Sequence, residues 1–390
     1  MTSKVTHMAD VILNQLKSRE KEMVDFLGKL VSLESPSRNP KSQYQILKFI
    51  GKALGELGFY TLHVPGKETG GFLYARPKSS DKTKALQLMI GHCDTVWEMN
   101  TLKNMPLTRD GETMKGPGIY DMKAGLTQII FALKAIDELK LTMPLTPVIL
   151  INSDEEIGSK ESRKAIERLA KVCERAYVME PPLGLTGKLK TARKGLGRFT
   201  ITVKGKAAHA GLDPQKGASA IVELSHQVQH LYAMNDFDKG ITVNVGMIEG
   251  GVSPNVIAPE SKAVVDVRVL NKKDGEQITK QILALKPTLP EVEVHIEGGI
   301  GRPPMEHTAG NRMLWKLAKA KGALLGLELE EATAGGGSDG NTTSLYTATL
   351  DGLGTTGDGA HAQHEHILLN EFPIRTALLT LLMLAEAGDN

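Results

Sequence analysis

Three apolar segments in the first half of the chain constrain the fold more than any other feature. They are LQLMIG at 86–91, PVILIN at 147–152 and AYVMEP at 176–181, with helical patterns such as 123–139 between them. Short apolar runs that alternate with helices are typical of a mostly parallel sheet with helices on both faces. The sequence therefore predicts an α/β fold with a mostly parallel central sheet.

Each of these predicted strands ends in acidic or imidazole side chains. His92 and Asp94 end the first strand, the acidic run 154–156 follows the second, and Glu180 ends the third. Ligands of open α/β sheets bind beyond the carboxyl ends of the strands. We therefore expect the functional site at this edge of the sheet.

The sequence pattern changes near residue 194. The segments GRFTITVKG, ITVNVGMIEGG, KAVVDVRVL and EVEVHIEGG alternate apolar and polar residues, as half-buried antiparallel strands do. Helical patterns at 217–234 and 275–286 lie between them. This predicts an inserted α+β domain at 194–304 and assigns residues 1–193 and 305–390 to the first domain.

Composition excludes several classes of partner. The chain has 390 residues, a net charge of +2 and only 4% aromatic residues. We therefore expect neither a basic surface for nucleic acid or anionic membranes nor a surface for base stacking. The apolar runs are also shorter than a membrane span, so no membrane partner is expected.

The start of the chain has no apolar signal core and reads instead as a surface helix that ends before Pro36. Its apolar residues recur at helical spacing; they are Val11, Ile12, Leu16, Met23, Phe26 and Leu27. The only two cysteines, Cys93 and Cys173, do not make a disulfide framework. This favours a reducing compartment, and we expect a cytoplasmic protein.

The acidic and imidazole side chains at the strand ends and in loops indicate a cation. They are His92, Asp94, Asp121, Glu155, Glu156, Glu180 and His361. Acidic runs usually lie in solvated loops, but Glu155 and Glu156 follow a strand that must be buried. Carboxylates are costly to bring together without a cation, and imidazole with carboxylate is the ligand set of zinc and related ions.

The stretch GHCDTV at 91–96 could serve a metal, a cysteine nucleophile or a plain turn. In an extended segment the side chains of His92 and Asp94 point to one face and Cys93 to the other. Cys93 is then most simply a core residue. We interpret His92 as a metal ligand and Asp94 as the acceptor of its other ring N–H.

The chain also resembles a known family. Its motifs GHCDTV, GPGIYDMKAG, SDEEIGS, VMEPP and GDGAHAQHE resemble, in order and spacing, those of the peptidase M20 family of dinuclear zinc hydrolases. Within that family they are most similar to the carboxypeptidase G (glutamate carboxypeptidase) group. The resemblance runs from about residue 85 to the C-terminus and includes GKAAHAG and SPNVIAP in the insert. It implies a zinc-exopeptidase-like catalytic domain and an inserted dimerisation or lid domain.

The resemblance implies two Zn²⁺ ions per chain, with Co²⁺ or Mn²⁺ as alternatives. Glu155 would be the general base that takes a proton from the bridging water. The ligands would be His92 and Glu180 for one ion, Glu156 and His361 for the other, and Asp121 as the bridge between them. The peptide bond Asp121–Met122 is expected to be cis.

Three histidines lie close together near the C-terminus. His361 stands four residues before Glu365, as in the H-x-x-x-E pattern of the family, and we choose it as the ligand. His364 stays an alternative ligand. His364 and His366 depart from the family pattern, and neither has an assigned role.

Other groups are expected to bind the substrate. By resemblance, Arg302 and Asn255 would bind its free carboxylate, Lys188 would make a further contact, and His209 would donate to the oxyanion from the partner subunit of a homodimer. The alternatives are a solvated loop arginine and a turn histidine.

The glycine-rich stretch TAGGGSDGNT at 333–342 lacks the lysine of a P-loop, and we reject a nucleotide site there. The resemblance places it beside the active site as a flexible lining of the substrate pocket.

The predicted function is hydrolysis of the amide bond of a C-terminal amino acid, with glutamate as first candidate, in a small peptide or N-acyl amino acid. An aminoacylase or dipeptidase of the same family is an alternative, and a metal-binding homologue without activity is another. The presence of Glu155 speaks against the last, because a binding module has no use for a base.

Overall fold

The computed structural model of the chain describes residues 2–79, 81 and 83–386. The chain forms two compact units. The first unit contains Met1–Thr191, His307–Thr333 and Ser338–Asn390, and the second contains Ala192–Glu306 and Ala334–Gly337. The insert predicted at 194–304 lies within the second unit, and the short segment 334–337 was not predicted to join it.

Eight helices are described in the first unit, and the longer ones follow the apolar patterns of the sequence. They are α1 (Thr2–Ser18), α2 (Glu20–Ser32), α3 (Pro40–Glu56), α4 (Ala124–Glu138), α5 (Arg163–Ala170), α8 (Ala309–Ala323), α9 (Gly340–Thr343) and α10 (Glu371–Met383). Helix α3 begins where Asn39 accepts a hydrogen bond from the backbone N–H of Ser42 and Pro40 takes the first turn.

The predicted single helix at the start of the chain is wrong in one respect, because α1 and α2 are separate helices that meet at Arg19. The backbone of Arg19, with φ −102° and ψ 5°, leaves the helical region. Its guanidinium pairs with Glu138 at 2.8 Å. The apolar pattern continues across this break because α1 and α2 both pack on α4. Val11, expected on the apolar face, is 37% exposed.

The central sheet of the first unit has six strands in the order β1-β2-β6-β3-β7-β14. Strands β6, β3, β7 and β14 run parallel to one another, whereas β2 pairs antiparallel with β6 and β1 pairs antiparallel with β2. The strands are β1 (Phe59–Val64), β2 (Phe72–Pro77), β3 (Leu86–His92), β6 (Thr146–Asn152), β7 (Cys173–Val178) and β14 (Ala348–Leu350). The predicted α/β fold with a mostly parallel sheet is confirmed.

Parallel pairing brings the ends of three strands to one edge of the sheet. His92 pairs in register with Asn152, and Ile90 pairs with Val178. Residues that follow β3, β6 and β7 therefore emerge side by side. The buried faces of the sheet explain why these strands are almost continuously apolar.

Helix α4 lies in the core of the first unit and is buried on nearly every side, where it packs against α10. A side chain at Gly125 would collide with the carbonyl oxygen of Met179, so only glycine allows this close approach. The start of α4 is thereby held close to the end of β7.

Short strands complete the elements outside the central sheet. Strands β4 (Thr108–Asp110), β5 (Thr113–Lys115), β15 (Gly357–Asp358) and β16 (His366–Leu368) form one small sheet, and β8 (Leu189–Arg193) pairs with β13 (Glu331–Ala334).

The second unit is an antiparallel sheet in the order β10-β11-β9-β12 with two helices packed on it. Its two central strands alternate buried and more exposed residues, as the sequence predicts, and its core is rich in valine and isoleucine. The elements are β9 (Gly195–Lys204), α6 (Ala220–Tyr232), β10 (Thr242–Gly250), β11 (Glu260–Val269), α7 (Lys272–Leu283) and β12 (Glu293–Arg302). Strand β10 is an edge strand.

Within the described part of the chain, every helix falls short of the length and apolarity required to cross a membrane.

Candidate metal centre

Five of the predicted ligands come together at the carboxyl edge of the central sheet as two overlapping groups. One group contains His92, Asp121 and Glu180, and the other contains Asp121, Glu156 and His361. Within each group the possible ligand atoms lie within 4.8 Å of one another. Asp121 is common to both groups, so this arrangement can hold two cations side by side with Asp121 between them.

The Nε2 atoms of the two histidines face the carboxylates. In the first group Nε2 of His92 is 3.1 Å from Oδ1 of Asp121 and 3.4 Å from Oε1 of Glu180. In the second group Nε2 of His361 is 3.4 Å from Oδ2 of Asp121 and 3.1 Å from Oε2 of Glu156. Asp121 thus offers a different oxygen to each group, as a bridging ligand requires.

The ring of His92 is oriented from its other nitrogen. Its Nδ1 is 2.9 Å from the backbone carbonyl oxygen of Asp94 and 3.4 Å from the Asp94 carboxylate. The expected acceptor was the carboxylate, and the nearer acceptor is the carbonyl of the same residue. A proton on Nδ1 that is donated there leaves Nε2 as the ligand atom.

The Asp94 carboxylate instead organises the acidic turn after β6. It accepts hydrogen bonds from the backbone N–H groups of Glu155 and Glu156, both at 3.2 Å, and from the Ser37 hydroxyl at 2.8 Å. Asp94 is fully buried. The sequence does not single out Ser37, because it lies far from the motif and its role depends on the fold.

Glu155 and Glu156 occupy a short 3₁₀ turn, Glu155–Ile157, directly after β6. Glu156 belongs to the second ligand group. Glu155 is buried and belongs to neither group among the described residues. The turn therefore separates the two carboxylates in the way that a ligand and a base would need.

The electrostatics of the site suit a cation. Burial opposes a proton on His92, but hydrogen bonds to the carboxylates around it outweigh burial and raise its pKa well above the usual value. Hydrogen bonds to Asp121 and Glu156 raise the pKa of His361 to about 10. Burial raises the pKa of Glu156, whereas hydrogen bonds from the two histidines lower that of Asp121 against the effect of burial. Two imidazoles thus hold protons where carboxylates converge, and divalent ions would displace those protons. The donor set fits two divalent ions.

The backbone around Asp121 departs from regular structure. Gly118 has φ +68°, and Asp121 and Met122 lie outside the helical region within the turn Ile119–Lys123. The peptide bond Asp121–Met122 is cis, and this prediction is confirmed.

The histidines near the C-terminus occupy different positions. His361 has φ +62° and reaches the second ligand group, whereas His364 belongs to neither group among the described residues. His366 begins β16, and its Nδ1 is 2.8 Å from the backbone oxygen of His364. The geometry therefore favours His361 as the ligand.

Cys93 is fully buried in the main core, and its backbone N–H donates to the carbonyl of Asn152 at 2.8 Å. Burial raises the pKa of its thiol. Its burial confirms the prediction of a core cysteine. A buried thiol of high pKa is also a poor nucleophile.

Three predicted substrate residues belong to the second unit. Arg302 ends β12 and is only 6% exposed, so it is not a solvated loop residue. His209 and Asn255 are exposed and lie on adjacent loops, where the backbone N–H of Ala210 donates to the carbonyl of Asn255. Nδ1 of His209 accepts from the backbone N–H groups of Gly211 and Leu212 at 3.1 and 3.2 Å. Its proton is therefore on Nε2, as an oxyanion donor needs.

Lys188 lies in the first unit, and its ammonium pairs with Glu330 at 2.5 Å. A contact between Lys188 and substrate would have to compete with this ion pair.

The glycine-rich stretch is not the uniformly flexible lining that was expected. Its residues 338–342 are buried in the first unit. The Asp339 carboxylate accepts hydrogen bonds from Asn152 at 2.8 Å and from the Ser159 hydroxyl at 2.5 Å. This part of the stretch anchors the end of β6 and the acidic turn, a role that only the fold reveals.

The sequence is similar to a known protein domain and to known enzymes. Residues 191–288 match the peptidase dimerisation domain of the M20 family. Carboxypeptidase G2 of Pseudomonas sp. (strain RS-16) is 28% identical over 96% of this chain and 92% of its own length.

The chain is similar to M20 family peptidases over almost its full length.

Other proteins show the same similarity. Acetylornithine deacetylase of Myxococcus xanthus is 27% identical over 58% of this chain and 61% of its own length. The crystal structure of aminopeptidase PepT from Bacillus cereus superposes with a TM-score of 0.79 at 22% identity, covering 93% of this chain and 98% of that one. Bacillus subtilis YXEP, described as a dinuclear metal binding peptidase from the M20 family, superposes with a TM-score of 0.72 at 16% identity, covering 94% and 98%. The chain is thus similar to M20 family hydrolases of the peptidase and amidohydrolase type.

Proposed function

We propose that the protein is a dinuclear zinc hydrolase that cleaves the amide bond of a C-terminal amino acid from a peptidyl or N-acyl group. The observation that carries this proposal is the placement of Asp121 in both ligand groups, with Glu155 on the adjoining acidic turn. Zinc is the first candidate because the ligands are imidazole nitrogens and carboxylate oxygens, and Co²⁺ or Mn²⁺ are alternatives.

The residues of the chain divide the chemistry between them. Two divalent ions in the ligand groups would supply an activated water and polarise the scissile carbonyl. Glu155 takes a proton from the attacking water and transfers it to the nitrogen of the departing amine. Asp94 keeps Glu155 and Glu156 in place through their backbone N–H groups. His209 donates from Nε2 to the oxyanion that develops on the carbonyl.

The substrate is a small peptide or an N-acyl amino acid with a free carboxylate. Arg302 and Asn255 bind that carboxylate, since a guanidinium can donate two parallel hydrogen bonds to it. Lys188 makes a further contact after leaving Glu330. Glutamate is the first candidate for the released amino acid because the motifs of the chain resemble those of the glutamate carboxypeptidase group, and carboxypeptidase G2 is similar over almost the full chain. Acetylornithine deacetylase is also a relative, so an aminoacylase or dipeptidase activity is the alternative.

The protein acts as a homodimer through its second unit, which contains the match to a dimerisation domain. Edge strand β10 exposes Met247 and Ile248, at 68% and 61%, and helix α6 exposes Ile221 and Val222. Apolar side chains on an unpaired strand and on a neighbouring helix suit a second copy of the same surface. The buried, free cysteines Cys93 and Cys173 fit a cytoplasmic location.

A substrate panel tests this function. The metal-free protein is assayed against N-acyl and dipeptide substrates with different C-terminal residues, with and without Zn²⁺, Co²⁺ or Mn²⁺. We expect about two bound ions per chain, activity only with metal, and the highest kcat/KM for C-terminal glutamate. Equal hydrolysis in chelator would overturn the metal mechanism. Preference for another residue would support the aminoacylase or dipeptidase alternative, and metal binding without turnover on any substrate would indicate an inactive homologue.

A further inference from the structure

The carboxylate of Glu365 is fully buried and accepts four hydrogen bonds. Its Oε1 accepts from the backbone N–H groups of Tyr120 and Asp121 at 3.0 and 3.1 Å. Its Oε2 accepts from the backbone N–H of Gly118 at 2.9 Å and from the indole of Trp97 at 2.8 Å. Both oxygens are therefore committed to N–H donors, and Glu365 belongs to neither ligand group among the described residues.

Three of these donors are in the irregular turn that carries the bridging ligand. Gly118 is left-handed, and Asp121 has φ −114° and ψ 93°, so regular helical hydrogen bonding cannot pair their N–H groups. An ionised carboxylate makes strong hydrogen bonds to such groups. The contacts to Glu365 thus determine where the Asp121 backbone lies.

Glu365 also belongs to the loop that presents His361. That loop is closed by backbone hydrogen bonds from Ala362 to Gly359 and from Glu365 to Ala362, and the backbone N–H of Gly116 donates to the Glu365 carbonyl. The residue therefore connects two loops that are distant in sequence, each with one ligand of the second group. Any shift of one loop relative to the other would change the distance between Asp121 and His361.

We propose that Glu365 is a positioning residue that sets the geometry of the bridging Asp121 relative to His361, and that it is neither a ligand nor an acid or base in the reaction. This inference rests on the proposed two-metal function. Glu365 thereby has a physical role of its own. In the H-x-x-x-E pattern it served only to identify His361 as the ligand.

Glu365→Gln tests the role with little change in shape. A side-chain amide has one acceptor oxygen, so its NH₂ group must face two of the four N–H donors. We expect metal affinity to fall about 10–100-fold in competition with a chromogenic chelator. At saturating metal we expect a lower kcat with little change in KM, because the substrate contacts are elsewhere. Glu365→Asp keeps the charge but is shorter, and we expect an intermediate loss.

Trp97→Phe is the matched control, since it removes one donor outside the Asp121 turn and keeps an aromatic ring. We expect its metal affinity to stay within about threefold of wild type. Thermal unfolding of the metal-free variants separates a general loss of stability from a specific loss of metal affinity. Wild-type metal affinity in Glu365→Gln, or an equal loss in Trp97→Phe, would overturn the inference.

A measurement on the wild-type protein keeps the inference testable if the Glu365 variants do not fold. By hydrogen exchange in chelator, the peptide that contains residues 118–121 should be protected compared with the exposed turn at 110–111. Rapid exchange at 118–121 in the metal-free protein would contradict the role of Glu365. If wild type binds ions but hydrolyses no amide, the proposed function fails and the inference about the metal site can still be tested. If wild type binds no ions, both fail.

Discussion

Glu155 and Glu156 are adjacent in the chain but have different surroundings. Both backbone N–H groups donate to Asp94, and the Glu156 carboxylate belongs to the ligand group of His361 and Asp121, whereas among the described residues Glu155 belongs to neither ligand group. A 3₁₀ turn directs consecutive side chains to different sides. The sequence predicts a special acidic pair because it follows a buried strand. The separation of a base from a ligand depends on the turn and on Asp94.

Exchange of each glutamate for glutamine tests this division. Glu155→Gln should keep both ions and lose roughly 10²–10⁴-fold in kcat, because a general base is removed. Glu156→Gln should lose metal as well as activity. Metal content by elemental analysis and kcat on the same preparations check both expectations. If Glu155→Gln loses metal and Glu156→Gln keeps it, then Glu155 is the ligand and Glu156 is the base.

At the scale of elements, four of the ligands lie at the ends of strands or just before a helix. His92 ends β3, the acidic turn follows β6, Glu180 follows β7, and Asp121 precedes α4. Apolar runs predict the three strands well because burial on both faces leaves a strong local pattern. The division between α1 and α2 at Arg19 is not visible in the apolar pattern, because both helices pack on the same helix α4.

A substitution that creates a cavity beside α4 tests how the core affects the metal site. We expect it to lower the stability of the whole fold without changing the ligands. Ile129 is fully buried, and Ile129→Ala should cost about 2–5 kcal/mol of unfolding free energy in urea titration. We expect metal stoichiometry to be unchanged in the folded fraction, because Ile129 is not a member of either ligand group. Leu185→Ala is the control at a side chain that is 63% exposed, and it should change stability by less than about 0.5 kcal/mol. Equal effects of the two substitutions would contradict the burial pattern.

At the scale of the whole molecule, the predicted site residues are divided between the two units. All of the metal ligands belong to the first unit, whereas His209, Asn255 and Arg302 belong to the second. The chemistry calls for an oxyanion donor, and the tautomer of His209 provides one at an exposed position. A donor from the partner subunit across a two-fold axis would satisfy this requirement.

Mixing of two inactive variants tests the shared site. His209→Ala should lose about 10²–10³-fold in kcat by itself. If His209 acts across the dimer, a hybrid with Glu155→Gln has one complete site, and remixed chains should recover about a quarter of wild-type activity. A mixture of Glu155→Gln and Glu156→Gln is the control and should recover none, because both residues belong to the same unit. No recovery with His209→Ala, despite measured subunit exchange, would place His209 within its own chain or outside the mechanism.

The sequence by itself determined the fold class, the inserted α+β segment, the core position of Cys93 and the cluster of candidate ligands. These features follow from local apolar periodicity and from the order of motifs, and both can be read along the chain. The tertiary structure decided how those residues are held. Asp94 orients His92 through its carbonyl and holds the acidic turn with its carboxylate, Asp339 anchors β6, and Glu365 organises the Asp121 turn. Arg302 is buried although its sequence reads as a loop. The physical reason is that a buried polar group must find hydrogen-bond partners wherever the fold places them, often hundreds of residues away, and no local pattern encodes that distance.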